Sequence, residues 1–194
     1  MNTMNINKKF NPKQIEKLID PKRLEFQSPE LIWQVLDLKD PRVLVDIGAG
    51  TGFYAVPFAE KSKDCLVYAC DSSPVMVEWM QENIPVIYQD RVVPVQCDET
   101  TVPLPSEIAD LVYMINLHHE LDDPQATLRE AMRLLKQDGL LAVIDWKPER
   151  TPLGPPLEIR VPQQQIVTQF IECGFKDVKQ HDVLSYHGFI TGRK

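Results

Sequence analysis

Apolar runs of strand length alternate with amphipathic stretches of helix length along most of the chain. The strand-like runs lie at 42–47, 65–70, 92–97, 110–117 and 140–146, and the helix-like patterns lie at 28–38, 53–62, 73–83, 124–137 and 162–173. Such alternation is typical of a doubly wound α/β domain with a parallel sheet. The stretch between Asp98 and Asp110 carries two prolines and little helical periodicity, so the connection there is predicted to be short or irregular.

Three further sequence signals mark a helix start, a turn and a pair of C-terminal strands. Ser28, Pro29 and Glu30 have the residue types of an N-cap, a first-turn proline and a dipole-matching acid. Asp138-Gly139 is predicted to form the turn between helix 124–137 and strand 140–146. The tail holds two strand-like runs, 177–185 and 186–193, with no helix pattern between them. The sequence therefore predicts a mostly parallel seven-stranded sheet with a C-terminal antiparallel hairpin.

Composition and charge narrow the class of protein. The 194 residues are 43% hydrophobic and 25% charged, as in ordinary globular domains, and no shift in composition marks a second domain. No apolar stretch approaches the roughly 20 residues of a membrane span, and residues 1–10 lack the apolar core of a signal peptide. We therefore expect a single domain with no membrane span, located in the cytoplasm.

The net charge argues against a nucleic-acid partner, and the cysteine spacing argues against a metal site. The net charge of −7 repels phosphate backbones, and no cluster of Lys and Arg compensates for it, so nucleic acid is disfavoured as a partner. Cys65, Cys70, Cys97 and Cys173 form no C-x-x-C pair and have no His at zinc-ligand spacing. We expect no metal site, and we interpret the cysteines as buried thiols.

The stretch VLVDIGAGTG, residues 43–52, is the most specific motif in the chain. A buried strand runs into Asp46 and then into three alternating glycines, Gly48, Gly50 and Gly52. A dinucleotide turn would read G-x-G-x-x-G, but Phe53 stands where its third glycine would be. No Gly-Lys-Ser/Thr follows to hold a triphosphate. The motif favours a ligand without phosphate.

The motif resembles the first motif of the class I S-adenosylmethionine-dependent methyltransferases, which is a strand followed by D/E-x-G-x-G-x-G. Asp145-Trp146-Lys147 and Gly154-Pro155-Pro156 make the chain similar to the small bacterial type 11 group, which is related to the ubiquinone and menaquinone C-methyltransferases. The resemblance implies a Rossmann-like fold, S-adenosylmethionine as cofactor and S-adenosylhomocysteine as product. Within the single domain we expect a helical extension, 1–40, that packs on the cofactor-binding methyltransferase part, 41–194.

The resemblance implies which residues bind the cofactor. Asp46 attracts its ammonium group, Asp71 takes the ribose hydroxyls, Asp98 accepts from the adenine amino group, and the backbone of Glu99 donates to the ring. Alternatively, Asp71 caps the following helix, as Ser72 also can, and the two later acids are exposed loop residues. The full set of cofactor-binding candidates is Asp46, Gly48, Gly50, Gly52, Tyr54, Asp71, Ser72, Met76, Asp98, Glu99 and Asn116. Met76 and Tyr54 are equally compatible with packing in the core.

The end of the fourth strand is the expected position of the reacting methyl group. The run there reads Asn116, Leu117, His118, His119, Glu120, which lacks the Asp/Asn-Pro-Pro-aromatic signature of enzymes that methylate adenine or glutamine amines. His118 and His119 are the candidate bases because histidine titrates near neutrality, and Glu120 can orient one of them. Alternatively, one histidine packs under the next helix and the other is solvated.

The next strand end supplies the candidates for the acceptor pocket. Asp145, Trp146 and Lys147 are placed to line that pocket, although Trp146 is also compatible with the core. The proline-rich segment 147–162 is either a semi-rigid substrate lid or a solvated connector.

The sequence predicts an S-adenosylmethionine-dependent methyltransferase with a small-molecule acceptor, and a homodimer is possible. The alternatives are an idle cofactor-binding partner subunit, an NAD-dependent oxidoreductase, and an arsenite or thiol methyltransferase. The last is disfavoured because Cys65 and Cys70 flank a buried strand.

Overall fold

One seven-stranded sheet lies at the centre of the computed structural model, which describes residues 8–9, 11, 14–61 and 63–194. The strands are β1 (Val43–Ile47), β2 (Leu66–Asp71), β3 (Val92–Gln96), β4 (Ala109–Ile115), β5 (Leu135–Trp146), β6 (Lys176–His181) and β7 (His187–Arg193). Their order is β3-β2-β1-β4-β5-β7-β6. The first five strands run parallel, and β7 pairs antiparallel with both β5 and β6. The predicted fold class and its closing hairpin are therefore confirmed.

Helices cover both faces of this sheet. They are α1 (Ile15–Leu18), α2 (Pro29–Leu36), α3 (Ala55–Glu60), α4 (Pro74–Asn83), α5 (Pro124–Leu134) and α6 (Gln163–Glu172), with short 3-10 helices at Pro21–Glu25, Val86–Tyr88, His118–Glu120 and Leu157–Ile159. None of the helices in the described ranges has the length and apolar character of a membrane span.

Alternate residues of the central strands supply two separate hydrophobic cores. Leu44 and Tyr113 belong to the core under α3, where the rings of Tyr113 and Phe58 lie 5.0 Å apart. Val45 and Val112 belong to the other core, which α5 and α6 cover. Because side chains of a strand point alternately to opposite faces, a strand covered by helices on both faces is apolar throughout. This burial explains why β1 and β4 are apolar on both faces, interrupted only by Asp46 and Asp110.

A capping side chain marks the start of α2, whereas one predicted turn was wrong. Ser28 accepts a hydrogen bond from the backbone of Leu31 at 3.4 Å, so α2 begins as predicted. The helix predicted over 124–137 ends at Leu134, and β5 begins at the next residue because Leu135 already pairs with Ala109 of β4. Asp138-Gly139 is therefore an irregularity within β5, with Asp138 at a φ of 61°, and is not a turn between helix and strand.

The topology puts the ends of the parallel strands at one edge of the sheet. β1 lies between β2 and β4, so the chain order reverses beside β1, and ligands of such sheets bind outside the strand ends at that point. Residues 97–108 join β3 to β4 without a helix, in agreement with the predicted irregular connection. The division into an extension, 1–40, and a domain, 41–194, stays a prediction, and residues 1–7, 10, 12–13 and 62 lie outside the described residues.

Candidate functional site

A cavity of about 960 Å³ opens at the carboxyl edge of the parallel strands. Its walls come from the ends of β1 to β5, from described residues between Lys8 and Phe26, and from the loop 153–159. Cavities of roughly 300 to 1,000 Å³ are the usual size of small-molecule sites. Most of the residues singled out from the sequence line this cavity: Asp46, Gly48, Gly50, Tyr54, Asp71, Ser72, Met76, Asp98, Glu99, Asn116 and His119.

The glycine turn after β1 bends sharply at the floor of the cavity. Gly48, Gly50 and Gly52 have φ values of 74°, 57° and 71°. Residues with a Cβ rarely adopt this left-handed backbone conformation. A Cβ on Gly48 would lie 2.6 Å from the side chain of Leu117, which also lines the cavity. Gly52 differs from the prediction, since it is outside this cavity and packs against Met80 of α4. Its role is therefore to shape the turn.

Asp71 at the end of β2 connects the glycine turn to helix α4. One carboxylate oxygen accepts a hydrogen bond from the backbone N–H of Gly50 and the other from that of Ser73, each at 2.8 Å. Burial raises the pKa of Asp71, and these backbone donors oppose the rise. Asp71 therefore holds Ser73, the residue before α4, and also lines the cavity, while its contact with the ribose stays a prediction.

Asp46 lies deeper in the same wall and is almost fully buried. Burial raises its pKa well above the ordinary value, and the negative charge of Asp71 adds to the rise. The neighbouring hydroxyl of Tyr113 and the guanidinium of Arg23 act in the opposite direction. A buried acid of this kind gains most from a cationic ligand, which would restore its charged form.

The wall beyond Asp71 combines apolar and acidic residues. Met76 is 3% exposed and still lines the cavity, so its side chain contributes to both the core and the wall. The carboxylate of Glu99 accepts hydrogen bonds from the backbone of Asp122 and Asp123 at 2.8 and 3.2 Å. Lys9 forms an ion pair with the same carboxylate at 3.0 Å. The side chain of Glu99 is thus held by the protein itself.

The N-terminal segment contributes two residues that the sequence did not reveal: Gln27, which lies behind the cavity wall, and Arg23, which lines the cavity. Gln27 is fully buried, and its amide accepts from Asn116 at 2.9 Å and donates back to it at 3.1 Å. The hydroxyl of Tyr54 donates to Gln27 at 3.1 Å. Asn116 has a φ of 61°, which aims its side chain from the end of β4 toward this amide pair. No sequence signal marked Gln27, since a single glutamine in a predicted loop has no pattern.

Arg23 is the second of these residues and its side chain lies inside the cavity. Its guanidinium lies 4.6 Å from the ring centre of Phe53 and 5.3 Å from that of Tyr54, and it donates to the carbonyl of Leu18. Burial lowers its pKa, although the guanidinium remains charged at neutral pH. Arg23 forms no ion pair with a carboxylate within the described ranges. A buried guanidinium without a direct ion pair favours an anionic group on a ligand.

His119 and Asp145 form a buried pair at the far end of the cavity. Nδ1 of His119 lies 2.7 Å from one carboxylate oxygen of Asp145, and the backbone N–H of His119 donates to the other at 2.8 Å. Burial alone would lower the pKa of His119, but Asp145 and then Glu120 outweigh it and raise the pKa. Burial opposes the charged form of Asp145 as well, yet His119 and the backbone donors hold its pKa below the ordinary value.

Several residues that were predicted to line the acceptor end of the cavity lie elsewhere. Asp145 is buried behind His119 and orients it, so it is not part of the cavity lining, whereas Glu120 lies 3.7 Å from Nε2 of the histidine. His118 turns away from the cavity, because its Nε2 lies 2.8 Å from the amide oxygen of Gln169 on α6. Lys147 also points elsewhere and pairs with Asp182 at 3.2 Å. One of the two candidate bases therefore faces the cavity.

The proline-rich segment closes this end of the cavity. Leu153, Gly154, Pro155, Pro156 and Ile159 line the cavity next to Trp146. Phe26 of the N-terminal segment lies opposite, with its ring centre 6.4 Å from that of Trp146. The segment therefore forms a wall of the site with its inner side, while most of its residues are also exposed to solvent.

Comparison with known proteins agrees with this geometry. The sequence model of a family described as "Methyltransferase domain" matches residues 45–143. The chain is 32% identical to a SAM-dependent methyltransferase from Aquifex aeolicus, with a TM-score of 0.89, over 95% of this chain and 99% of that one. It is 31% identical to the demethylmenaquinone methyltransferase of Chlamydia muridarum over 53% of this chain and 43% of that protein. It is also 30% identical to a tRNA(Phe) (4-demethylwyosine(37)-C(7)) aminocarboxypropyltransferase of Methanocaldococcus jannaschii, over 60% and 45% of the two chains. The chain spans less than half the length of these two curated relatives.

Proposed function

The chain belongs to the S-adenosylmethionine-dependent methyltransferases, and on this premise we propose that it methylates a small molecule bound beside His119. The observation that carries the proposal is that one cavity joins the glycine turn and Asp71 to the His119–Asp145 pair. The cofactor, when bound, supplies a methyl group on a positively charged sulfur, and in-line displacement transfers this methyl group to the acceptor.

The cofactor end of the cavity offers a partner for each polar part of S-adenosylmethionine. Asp46 fits the ammonium group because a cation stabilises its buried carboxylate. Arg23 fits the carboxylate because its guanidinium lines the cavity and forms no direct ion pair with a carboxylate among the described residues. Asp71 accepts backbone hydrogen bonds on both oxygens, and the remaining lone pairs fit the ribose hydroxyls.

The adenine end is assigned to the wall beyond Asp71. Met76 and Asp98 both line this wall. We assign to Met76 the apolar contact with the ring and to Asp98 the hydrogen bond from its amino group. The Glu99 carboxylate is already held by Lys9 and by backbone donors, so we assign only its backbone to the cofactor. Ser72, Tyr54, Gly48, Gly50 and Asn116 complete the proposed contacts.

The acceptor end is suited to proton removal from a bound substrate. A neutral His119 that donates from Nδ1 to Asp145 keeps a lone pair on Nε2, which can take a proton from the acceptor as the methyl group is transferred. The carboxylates of Asp145 and Glu120 stabilise the imidazolium that forms. His119 is thus the proposed base, and Asp145 the residue that orients it.

The walls around His119 favour a small acceptor with an apolar body. Phe26, Trp146, Leu121 and Pro155 present apolar surface, and the N-terminal segment faces the proline-rich segment across the opening. The net charge of −7 disfavours a tRNA acceptor, although some relatives are tRNA-modifying enzymes.

Transfer of labelled methyl groups tests this proposal. Purified protein is incubated with methyl-labelled S-adenosylmethionine and a cell extract from which endogenous S-adenosylmethionine has been removed while its other small molecules are kept. The label is then partitioned among small molecules, RNA and protein. We expect label in small molecules. Label in RNA or protein would contradict the acceptor class, and no transfer despite cofactor binding would favour an idle partner subunit.

A further inference from the structure

A single arginine holds the proline-rich segment in place. The guanidinium of Arg160 donates five hydrogen bonds, at 2.8 to 3.4 Å. The acceptors are the carbonyl oxygens of Lys147, Glu149, Leu153 and Pro155. The side chain therefore connects both ends of the loop that follows β5. Few side chains other than arginine could do this, because the planar fork carries five N–H donors in fixed directions.

The loop depends on this side chain because its own backbone has few donors. Four of the ten residues in 147–156 are prolines, which lack an N–H, so the carbonyls of the loop cannot be paired by a regular backbone ladder. Arg160 is 9% exposed and forms no ion pair with a carboxylate in the described part of the chain. Its charge is therefore neutralised by carbonyl dipoles of the loop, and separating the two would leave a buried cation and several acceptors without partners.

The same side chain fixes Trp146 in the acceptor wall. The guanidinium carbon lies 5.2 Å from the ring centre of Trp146. Gly154 has a φ of 113° and brings the loop so close that a Cβ there would lie 2.8 Å from the Trp146 ring and 2.9 Å from Nη2 of Arg160. Loop, arginine and tryptophan thus form one packed unit, whose inner surface lines the cavity beside His119.

We propose that Arg160 is a positioning residue that holds 147–156 as a fixed roof over the acceptor end of the cavity. On this view the roof is a rigid wall that selects the acceptor, and it does not open and close with each turnover. The acceptor then enters and leaves the cavity on the side of the N-terminal segment. The inference rests on the proposed function, since it assigns this end of the cavity to the methyl acceptor.

Hydrogen exchange and acceptor saturation together test the inference. We compare Arg160→Gln, which removes the charged fork, Arg160→Lys, which keeps the charge alone, and Arg150→Gln, a matched control in the same loop whose arginine is exposed. Amide exchange is measured by mass spectrometry over 147–161. Methyl transfer is measured against serial dilutions of the small-molecule fraction, which gives a half-saturating dilution without knowledge of the acceptor. Affinity for S-adenosylmethionine is measured by calorimetry.

We expect exchange over 147–161 to rise about tenfold or more in Arg160→Gln, with a smaller rise in Arg160→Lys and no change in Arg150→Gln. The half-saturating concentration of acceptor rises about tenfold in Arg160→Gln, while cofactor affinity stays within about twofold of the wild type. Unchanged exchange, or a loss of cofactor affinity equal to the loss for acceptor, would overturn the inference. Absence of methyl transfer by every variant would overturn the proposed function instead, and the exchange result would still decide the role of Arg160 in fixing the loop.

Discussion

Nδ1 of His119 lies 2.7 Å from a carboxylate oxygen of Asp145, and both side chains are nearly excluded from solvent. The second carboxylate oxygen accepts the backbone N–H of His119, so ring and backbone are held by one acid. This arrangement fixes the ring orientation and leaves Nε2 on the side of Glu120, at the cavity surface. It gives the candidate base a defined tautomer and a raised pKa.

Replacing Asp145 by Asn tests this relationship through the pH dependence of methyl transfer. Only neutral His119 can accept a proton, and its pKa is raised above 6.5, so kcat/KM should fall as the pH falls through a value above 6.5. In Asp145→Asn the carboxylate that raises the pKa is lost while burial still lowers it. The acidic limb should therefore move to lower pH, and turnover should fall roughly 100-fold because the ring is no longer oriented. A limb at the wild-type position would show that another group titrates.

Replacing Asp71 by Asn tests the proposed contact with the ribose. The amide retains the shape of the side chain, but its NH2 group cannot accept one of the two backbone hydrogen bonds, and the charged acceptor proposed for the ribose hydroxyls is lost. A hydrogen bond to a charged group is worth roughly 1.5 to 3 kcal/mol. We expect calorimetry to show an affinity for S-adenosylmethionine that is about 10- to 100-fold lower. Asp90→Asn, an exposed acid beyond α4, is the matched control and should bind as the wild type does. Equal affinity of both variants would remove Asp71 from the cofactor site.

Replacing Gly48 by Ala separates backbone strain from the shape of the site. Alanine in a left-handed conformation costs about 1 to 2 kcal/mol, which corresponds to a fall of several degrees in the thermal midpoint. Gly174→Ala is the control, since Gly174 has a φ of 92° and its nearest neighbour would be 4.0 Å from the new Cβ. Both variants should lose stability, and only Gly48→Ala should also lose cofactor affinity, because its Cβ displaces Leu117 in the cavity wall. Equal cofactor binding by the two variants would contradict this account.

The fold and the cofactor end of the site were predictable because their signals are local in the sequence. The largely apolar runs follow from burial of β1 and β4 on both faces, and the strand order then brings Asp46, the glycines and Asp71 together. The methyltransferase family, the sheet with its hairpin and the cofactor are confirmed. The roles of the individual residues stay predictions.

The acceptor end was less predictable because it depends on long-range contacts. Gln27 and Asn116 are 89 residues apart, and Asp145 is 26 residues from His119, so neither pair has a spacing that identifies it. His118 and His119 are neighbours in a 3-10 helix, and only tertiary packing against Gln169 decides which one faces away from the cavity. The end of α5 was misplaced for a similar reason, since pairing of Leu135 with Ala109 overrides the local turn signal.

The most direct measurement is the rate of label transfer from S-adenosylmethionine to the small-molecule fraction by His119→Gln and His118→Gln. The two variants carry the same substitution at adjacent buried residues, so thermal melting and cofactor affinity of each variant control for damage to the fold. We predict that His119→Gln transfers at least about 100-fold more slowly with cofactor affinity retained, while His118→Gln transfers at nearly the wild-type rate. Undiminished transfer by His119→Gln, or an equal loss in both variants, would contradict the assignment of His119 as the base.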